Sequence, residues 1–263
     1  MPFGAPTPYN PGMKVPSRLN SLMYHDILTS GSGSRYSFSL GEFRRHLRDI
    51  EARVGGAPAI AGRENEASRF ALTFDDGCAG WLAAGEELNE RRWPAHFFVI
   101  TGVIGRPGRL ARRDIRRLAR MGHVIGSHTV DHPSHFSLRD ESFILRQWSE
   151  SKAALEDILG SEVCAASVPG GCYRDRVARA AERCGLLHLF TSEPVARSWS
   201  VGRCLVRGRY ALTSGMSSRT VARLAAGEGA AAAGRYLSWN IKKAVKRAFL
   251  TPSREELARQ ERA

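Results

Sequence analysis

The sequence predicts an α/β fold: a closed or nearly closed barrel of parallel strands with helices outside. Short apolar runs alternate with longer amphipathic segments, and strand followed by helix, repeated, builds a parallel sheet. Seven such runs share 263 residues, a density that favours a barrel over a doubly wound sheet.

The strand candidates are Leu22–His25, Phe70–Phe74, Ala95–Ile100, His123–Ser127, Val163–Val168, Leu186–Thr191 and Cys204–Arg207. The helix candidates are Leu40–Val54, Cys78–Arg91, Leu110–Met121, Arg139–Leu159 and Tyr173–Cys184. The first helix opens after Ser39 and carries Phe43, Leu47 and Ile50 at helical spacing. In such a barrel chemistry is expected at the C-terminal ends of the strands.

Residues 1–19, rich in Pro and Gly, read as a flexible leader, and residues 20–224 as the barrel domain. Residues 225–263 read as an Ala/Gly linker followed by a basic amphipathic helix, Tyr236–Leu250, with Lys242, Lys243, Lys246 and Arg247. That helix either docks on the barrel or meets a membrane surface or a protein partner. No run reaches the roughly 20 apolar residues of a membrane helix, and the N-terminus lacks the apolar core of a secretory signal. The expected location is therefore cytoplasmic, with peripheral membrane attachment or export by a route not evident in the sequence left open. The net charge is +13, nearly all from Arg. It admits an anionic partner or a coding bias, but no nucleic-acid signature accompanies it, so no nucleic-acid partner is expected. The five cysteines, at 78, 164, 172, 184 and 204, form no CxxC pair. This argues against a disulfide framework and a structural zinc site, and for reduced thiols.

Two constellations carry the chemistry. Thr73-Phe74-Asp75-Asp76-Gly77 ends an apolar run. Strand neighbours point opposite ways, but a turn at Gly77 can bring both carboxylates to one mouth. The plainer alternative is an Asp-Gly turn with Asp76 capping a helix. His128-Thr129-Val130-Asp131-His132 also ends an apolar run. An i, i+4 pair on one helical turn can direct both imidazoles at one metal, the alternative being two loop histidines. Taken together, Asp76, His128 and His132 make a His₂-carboxylate set that leaves coordination positions open, as a catalytic metal requires.

These motifs resemble those of the polysaccharide deacetylases, carbohydrate esterase family 4 or the NodB-homology group. TFDDG at 73–77 and HTVDH at 128–132 match its first two motifs. His96-Phe97-Phe98-Val99 and Gly122-His123-Val124-Ile125-Gly126 resemble its framework, over residues of about 20 to 210. The resemblance implies a distorted (β/α)7 barrel and a metal-dependent hydrolase that removes N-acetyl groups from N-acetylhexosamine units of a glycan, releasing acetate. It implies Asp75 as general base and Asp76, His128 and His132 as ligands of a divalent ion, zinc first, with cobalt, nickel or manganese as alternatives. The family's third motif, Arg-Pro-Pro-Tyr-Gly, corresponds to Ser167-Val168-Pro169-Gly170-Gly171, which places Pro169, Gly170 and Gly171 at the oxyanion position. Ser167 replaces the arginine that pairs with the base, and Arg203 or Arg207 is the expected substitute. The family's late histidine motif is absent. Leu22-Met23-Tyr24-His25-Asp26-Ile27 instead resembles the N-terminal motif of biofilm poly-N-acetylglucosamine deacetylases, which implies His25 as general acid; a core histidine is the alternative. Trp199 is a candidate sugar-stacking wall, and His46, His96, His123, His135 and His188 read as structural, with His135 near enough to the ligands to meet substrate. Two other classes stay open: a carbohydrate-binding pseudoenzyme, suggested by Ser167, and a barrel hydrolase of another amide or an O-acetyl ester.

Overall fold

The computed structural model describes residues 18–31, 33–229 and 234. In chain order the elements are β1 (Asn20–Tyr24), β2 (Asp26–Leu28), β3 (Ser37–Ser39), α1 (Leu40–Val54), β4 (Phe70–Asp76), α2 (Trp81–Glu90), β5 (His96–Val99), α3 (Arg112–Arg120) and β6 (Val124–Ser127). There follow α4 (Glu141–Leu159), β7 (Ala165–Ser167), α5 (Asp175–Arg183), β8 (His188–Phe190), β9 (Ser198–Val201), β10 (Cys204–Arg207), β11 (Tyr210–Ala211) and α6 (Ser218–Ala225). The main sheet runs β11-β1-β4-β5-β6-β7-β8-β10-β9, parallel throughout except for β9, which folds back on β10.

Only Gly208 and Arg209 separate β10 from β11. Because β10 pairs with β8 and β11 pairs with β1, residues 204–211 form one extended segment that joins the two ends of the sheet. The parallel positions are then seven, each containing one of the seven apolar runs, and the architecture is a distorted (β/α) barrel. Strand alternation builds two layers. Leu22, Tyr24, Leu72, Phe74, Phe97, Leu189 and Val206 face the helices in one large apolar core with Phe43, Leu47, Trp81 and Trp148. Inside, Phe98, Val124, Ala165 and Phe190 pack against Ile60 and Ala61. Those two residues come from the loop before β4, where the Ala61 amide donates to His96 Nε2 (3.0 Å) and Glu64 pairs with Arg207, both buried.

α1 begins as expected, on a capping box in which Ser39 and Glu42 satisfy each other's amides. The short strands β2, β3, β9 and β11 and helix α6 were not among the expected elements. The expected leader is partly structured: Arg18 bridges Arg197 and the Leu19 amide donates to Ala196 O (2.7 Å). The rest of the leader, residues 230–233 of the Ala/Gly segment and the basic helix at 236–250 lie outside the described residues. Among the described residues no helix is long and apolar enough to cross a membrane.

Candidate active site and metal centre

Asp75 points into the barrel and is 2% exposed. Asp76 would point away by simple alternation, but it adopts φ 93 and Gly77 φ 87. This left-handed pair turns the Asp76 carboxylate into the same mouth. A non-glycine residue held there costs about 1–3 kcal/mol, a strain that surrounding contacts must impose. Two are visible: Arg109 Nη1 donates to Asp76 O (3.3 Å) and the Leu110 amide to Gly77 O (3.0 Å).

Residues 128–132 do not form the helical turn expected from the i, i+4 spacing. Thr129 and His132 are both left-handed (φ 65 and 52), and the loop is irregular. It is held from several sides. The Val130 and Asp131 amides donate to Gln147 Oε1 of α4, Gln147 Nε2 donates to Asp131 Oδ2, and the His132 amide donates to Thr129 Oγ1. The outcome for the imidazoles is nevertheless convergence. His128 Nε2 lies 3.5 Å and His132 Nε2 3.8 Å from Asp76 Oδ1, and ligand atoms of the three residues all lie within 4.8 Å of one another. Ligand bonds of about 2.0–2.2 Å in a tetrahedron separate donor atoms by about 3.3–3.6 Å, so the cluster suits a small divalent ion. His128 Nδ1 sits 2.9 Å from Ser167 O. That bond makes Nδ1 the protonated nitrogen and leaves the Nε2 lone pair for a metal. Cys78 is adjacent in sequence but is not one of the clustered groups; burial, then Asp26, pushes its thiol up to about 12.

The arginine beside Asp75 is neither of the two expected. Arg203 sits past β9 and pairs with Glu182, and Arg207 is taken by Glu64. Arg209, fully buried, spans both Asp75 oxygens (Nη1–Oδ1 2.7 Å, Nη2–Oδ2 2.8 Å). It also donates to Ser167 Oγ (2.7 Å) and Thr73 Oγ1 (3.1 Å). Ser167 Oγ in turn donates to Asp75 Oδ2 (3.0 Å). Serine at 167 thus leaves space that the guanidinium of Arg209, from the closing segment 204–211, fills. Burial works to raise the Asp75 pKa, but Arg209, then His128 and His25, outweigh it and hold the carboxyl well below its ordinary range.

His25 follows β1 at the same mouth. Burial lowers its pKa, while Asp75 and Asp76 act on it in the opposite sense. Pro169, Gly170 and Gly171 form a tight turn with Gly170 and Gly171 left-handed. A Cβ added at Gly170 would come within 4.0 Å of Pro133 O and His135 N, so this turn abuts the histidine loop. Trp199 belongs elsewhere. It opposes Val206 in register on β9, and its ring engages Tyr173 and Arg197, not the cluster. Of the remaining histidines, His46 meets Tyr24, His96 the loop before β4, His123 Gly85 O and His188 Arg207.

Fold and site together define a class: a distorted (β/α) barrel with an Asp-His-His cluster and an arginine-paired aspartate at one mouth. Residues 62–188 match the polysaccharide deacetylase family model, so that stretch carries a polysaccharide deacetylase domain. Bacillus subtilis (strain 168) YxkH, which carries polysaccharide deacetylase as a provisional name, is 26% identical over 211 residues, covering 77% of this chain and 74% of that protein. The chitooligosaccharide deacetylase of Rhizobium leguminosarum bv. trifolii is 36% identical over 88 residues, but these span only 32% of this chain and 38% of that protein. The structure of IcaB from Ammonifex degensii superposes with a TM-score of 0.67 at 24% identity, covering 81% of this chain and 98% of that one; this likeness concerns the fold.

Proposed function

We propose that this chain is a metal-dependent hydrolase that removes N-acetyl groups from N-acetylhexosamine units of a glycan, releasing acetate. The carrying observation is the placement of Asp76, His128 and His132 within 4.8 Å of one another, with Asp75 beside them on a bidentate Arg209. These three residues would hold the divalent ion, zinc by donor set. Such an ion polarises a carbonyl and makes water acidic enough to ionise near neutral pH.

Asp75 takes the proton of the attacking water. A carboxylate held as low as this one is a weak base toward ordinary water, so the role fits only where that water is already acidified. Arg209 fixes the Asp75 oxygens and keeps them ionised. The turn at Gly170 and Gly171 supplies backbone donors toward the developing oxyanion. His25 protonates the departing amine, which is too basic to leave as an anion. A binding-only reading drew its motive from Ser167 in the arginine position, and Arg209 removes that motive. Acetate release from N-acetylated chito-oligosaccharides by zinc-loaded protein, set against O-acetylated sugars, tests the assignment. Ester cleavage without any amide cleavage would defeat it.

A further inference from the structure

Tyr36 stands out on the surface. It is 36% exposed, and among the described residues no other large hydrophobic side chain is exposed. Its ring lies 4.8 Å from the His25 ring, tilted by 39°, and the Arg35 guanidinium sits 5.3 Å over it. The segment bearing it is braced. The Ser214 amide donates to Arg35 O (2.7 Å), the Tyr36 amide to Ser34 Oγ (3.1 Å), and the Ser34 amide to Ser37 Oγ (3.0 Å).

His25 needs such a neighbour. Its backbone is pinned, because Trp81 Nε1 donates to His25 O (2.5 Å). Its imidazole is not: Nδ1 is buried and has no hydrogen-bond partner. A proton-transferring imidazole is ordinarily oriented through its second nitrogen, and here that means is absent among the described residues. An aromatic face in contact can fix a ring plane instead. The outward part of Tyr36 then borders the mouth on the side of His25, where a sugar ring departs.

Resting on the deacetylase reading through His25, we propose that Tyr36 is a positioning residue: its ring orients the His25 imidazole and walls the side of the cleft that receives the leaving sugar. The test compares Tyr36→Ala and Tyr36→Phe in the zinc-loaded full chain. Two acetyl donors are used: N-acetylated chito-oligosaccharide, whose amine leaving group needs a proton, and 4-nitrophenyl acetate, whose leaving group does not. Tyr36→Ala is expected to lower amide kcat by about tenfold, less than the roughly 10²-fold that a 1 Å misplacement can cost. It should also raise KM for the oligosaccharide and leave the ester rate near that of wild type. Tyr36→Phe should restore the amide kcat and the KM, with the ester rate again near that of wild type. Unchanged amide kinetics in Tyr36→Ala, or equal losses on amide and ester, would overturn the proposal. If wild type cleaves the ester and no glycan amide, the deacetylase reading falls alone. The His25 Cε1–H resonance, assigned through His25→Gln, then decides: displaced in Tyr36→Ala and restored in Tyr36→Phe supports the role, and unmoved in Tyr36→Ala overturns it.

Discussion

The two faces of the barrel strands carry opposite chemistry. Outward, Leu22, Tyr24, Leu72, Phe74, Phe97 and Val206 bury apolar surface against the helices. Inward, the same sheet carries Thr73, Asp75, His96, Ser167, His188, Arg207 and Arg209, all buried. The outer layer stabilises through area and tolerates substitutions of similar volume. The inner layer is joined by directed contacts, Arg209 to Asp75 and Ser167, Arg207 to Glu64 and His188. Each inner member leaves a buried charge or donor exposed to loss if its partner goes. The outer face therefore sets whether the chain folds, and the inner face sets where the functional atoms lie.

The largest separation between the layers should come from Asp75→Asn. Turnover is expected to fall by about 10²–10⁴-fold, the contribution of a positioned base, while bound zinc measured by atomic absorption stays at the wild-type level. Loss of zinc would mean that Asp75, not Asp76, is the ligand.

Arg209→Met comes next. It strands the buried Asp75 carboxylate, and removing one member of a buried ion pair costs about 3–5 kcal/mol, read by urea unfolding. Turnover should fall with it. Arg209→Lys should recover only part of both, since a point charge cannot span two carboxylate oxygens as a guanidinium does.

Leu47→Ala probes the outer layer alone. Leu47 is fully buried on α1, and the truncation is expected to cost about 2–5 kcal/mol. Below the melting transition kcat should stay at the wild-type value. A kcat loss comparable to that of Arg209→Lys would erase the distinction between layers.

The smallest effect is a difference in acid sensitivity. Burial lowers the pKa of His46 and of His123, each to about 4 from 6.5. The folded state holds both neutral while the unfolded chain takes up protons. Their stabilisation is complete above 6.5 and is lost as pH falls from there toward 4. Asp75 has a depressed pKa, so its contribution persists until pH drops below its unfolded value, 3.8. Urea unfolding of metal-free wild type and His123→Leu between pH 7 and 4, the window set by those shifts, should show a shallower pH slope in the variant. Equal slopes would mean that His123 does not titrate on unfolding.

The outer layer was legible because it is written in apolar runs, and each of the seven runs became one parallel position. The capping box at Ser39 and Glu42 likewise marks the start of α1 without tertiary information. The four minor strands were hidden because none lies in an apolar run of the length that marked the other seven. The site was legible as residue types but not as backbone. The spacing of His128 and His132 suggested a helical turn, whereas the loop depends on Gln147 and on left-handed Thr129 and His132, which involve contacts distant in sequence. Arg209 escaped notice because it lies beyond the apolar run that marked the last strand. Alternation did hold the signal: Leu205, Arg207 and Arg209 share a face opposite the buried Val206, so both arginines had to point inward. Arg207 was claimed by Glu64, from a loop with no apolar pattern of its own.

The segment 204–211 also has a consequence for the order in which the molecule comes into being. A growing polypeptide delivers Asp75, Asp76, His128 and His132 well before it delivers Arg209. Until that last strand docks between β8 and β1, the Asp75 carboxylate lacks its counter-charge and the sheet keeps two open edges. Ring closure and neutralisation of the Asp75 carboxylate are therefore one event, and a nascent chain stopped short of residue 209 would carry Asp76, His128 and His132 beside an Asp75 without its ion pair.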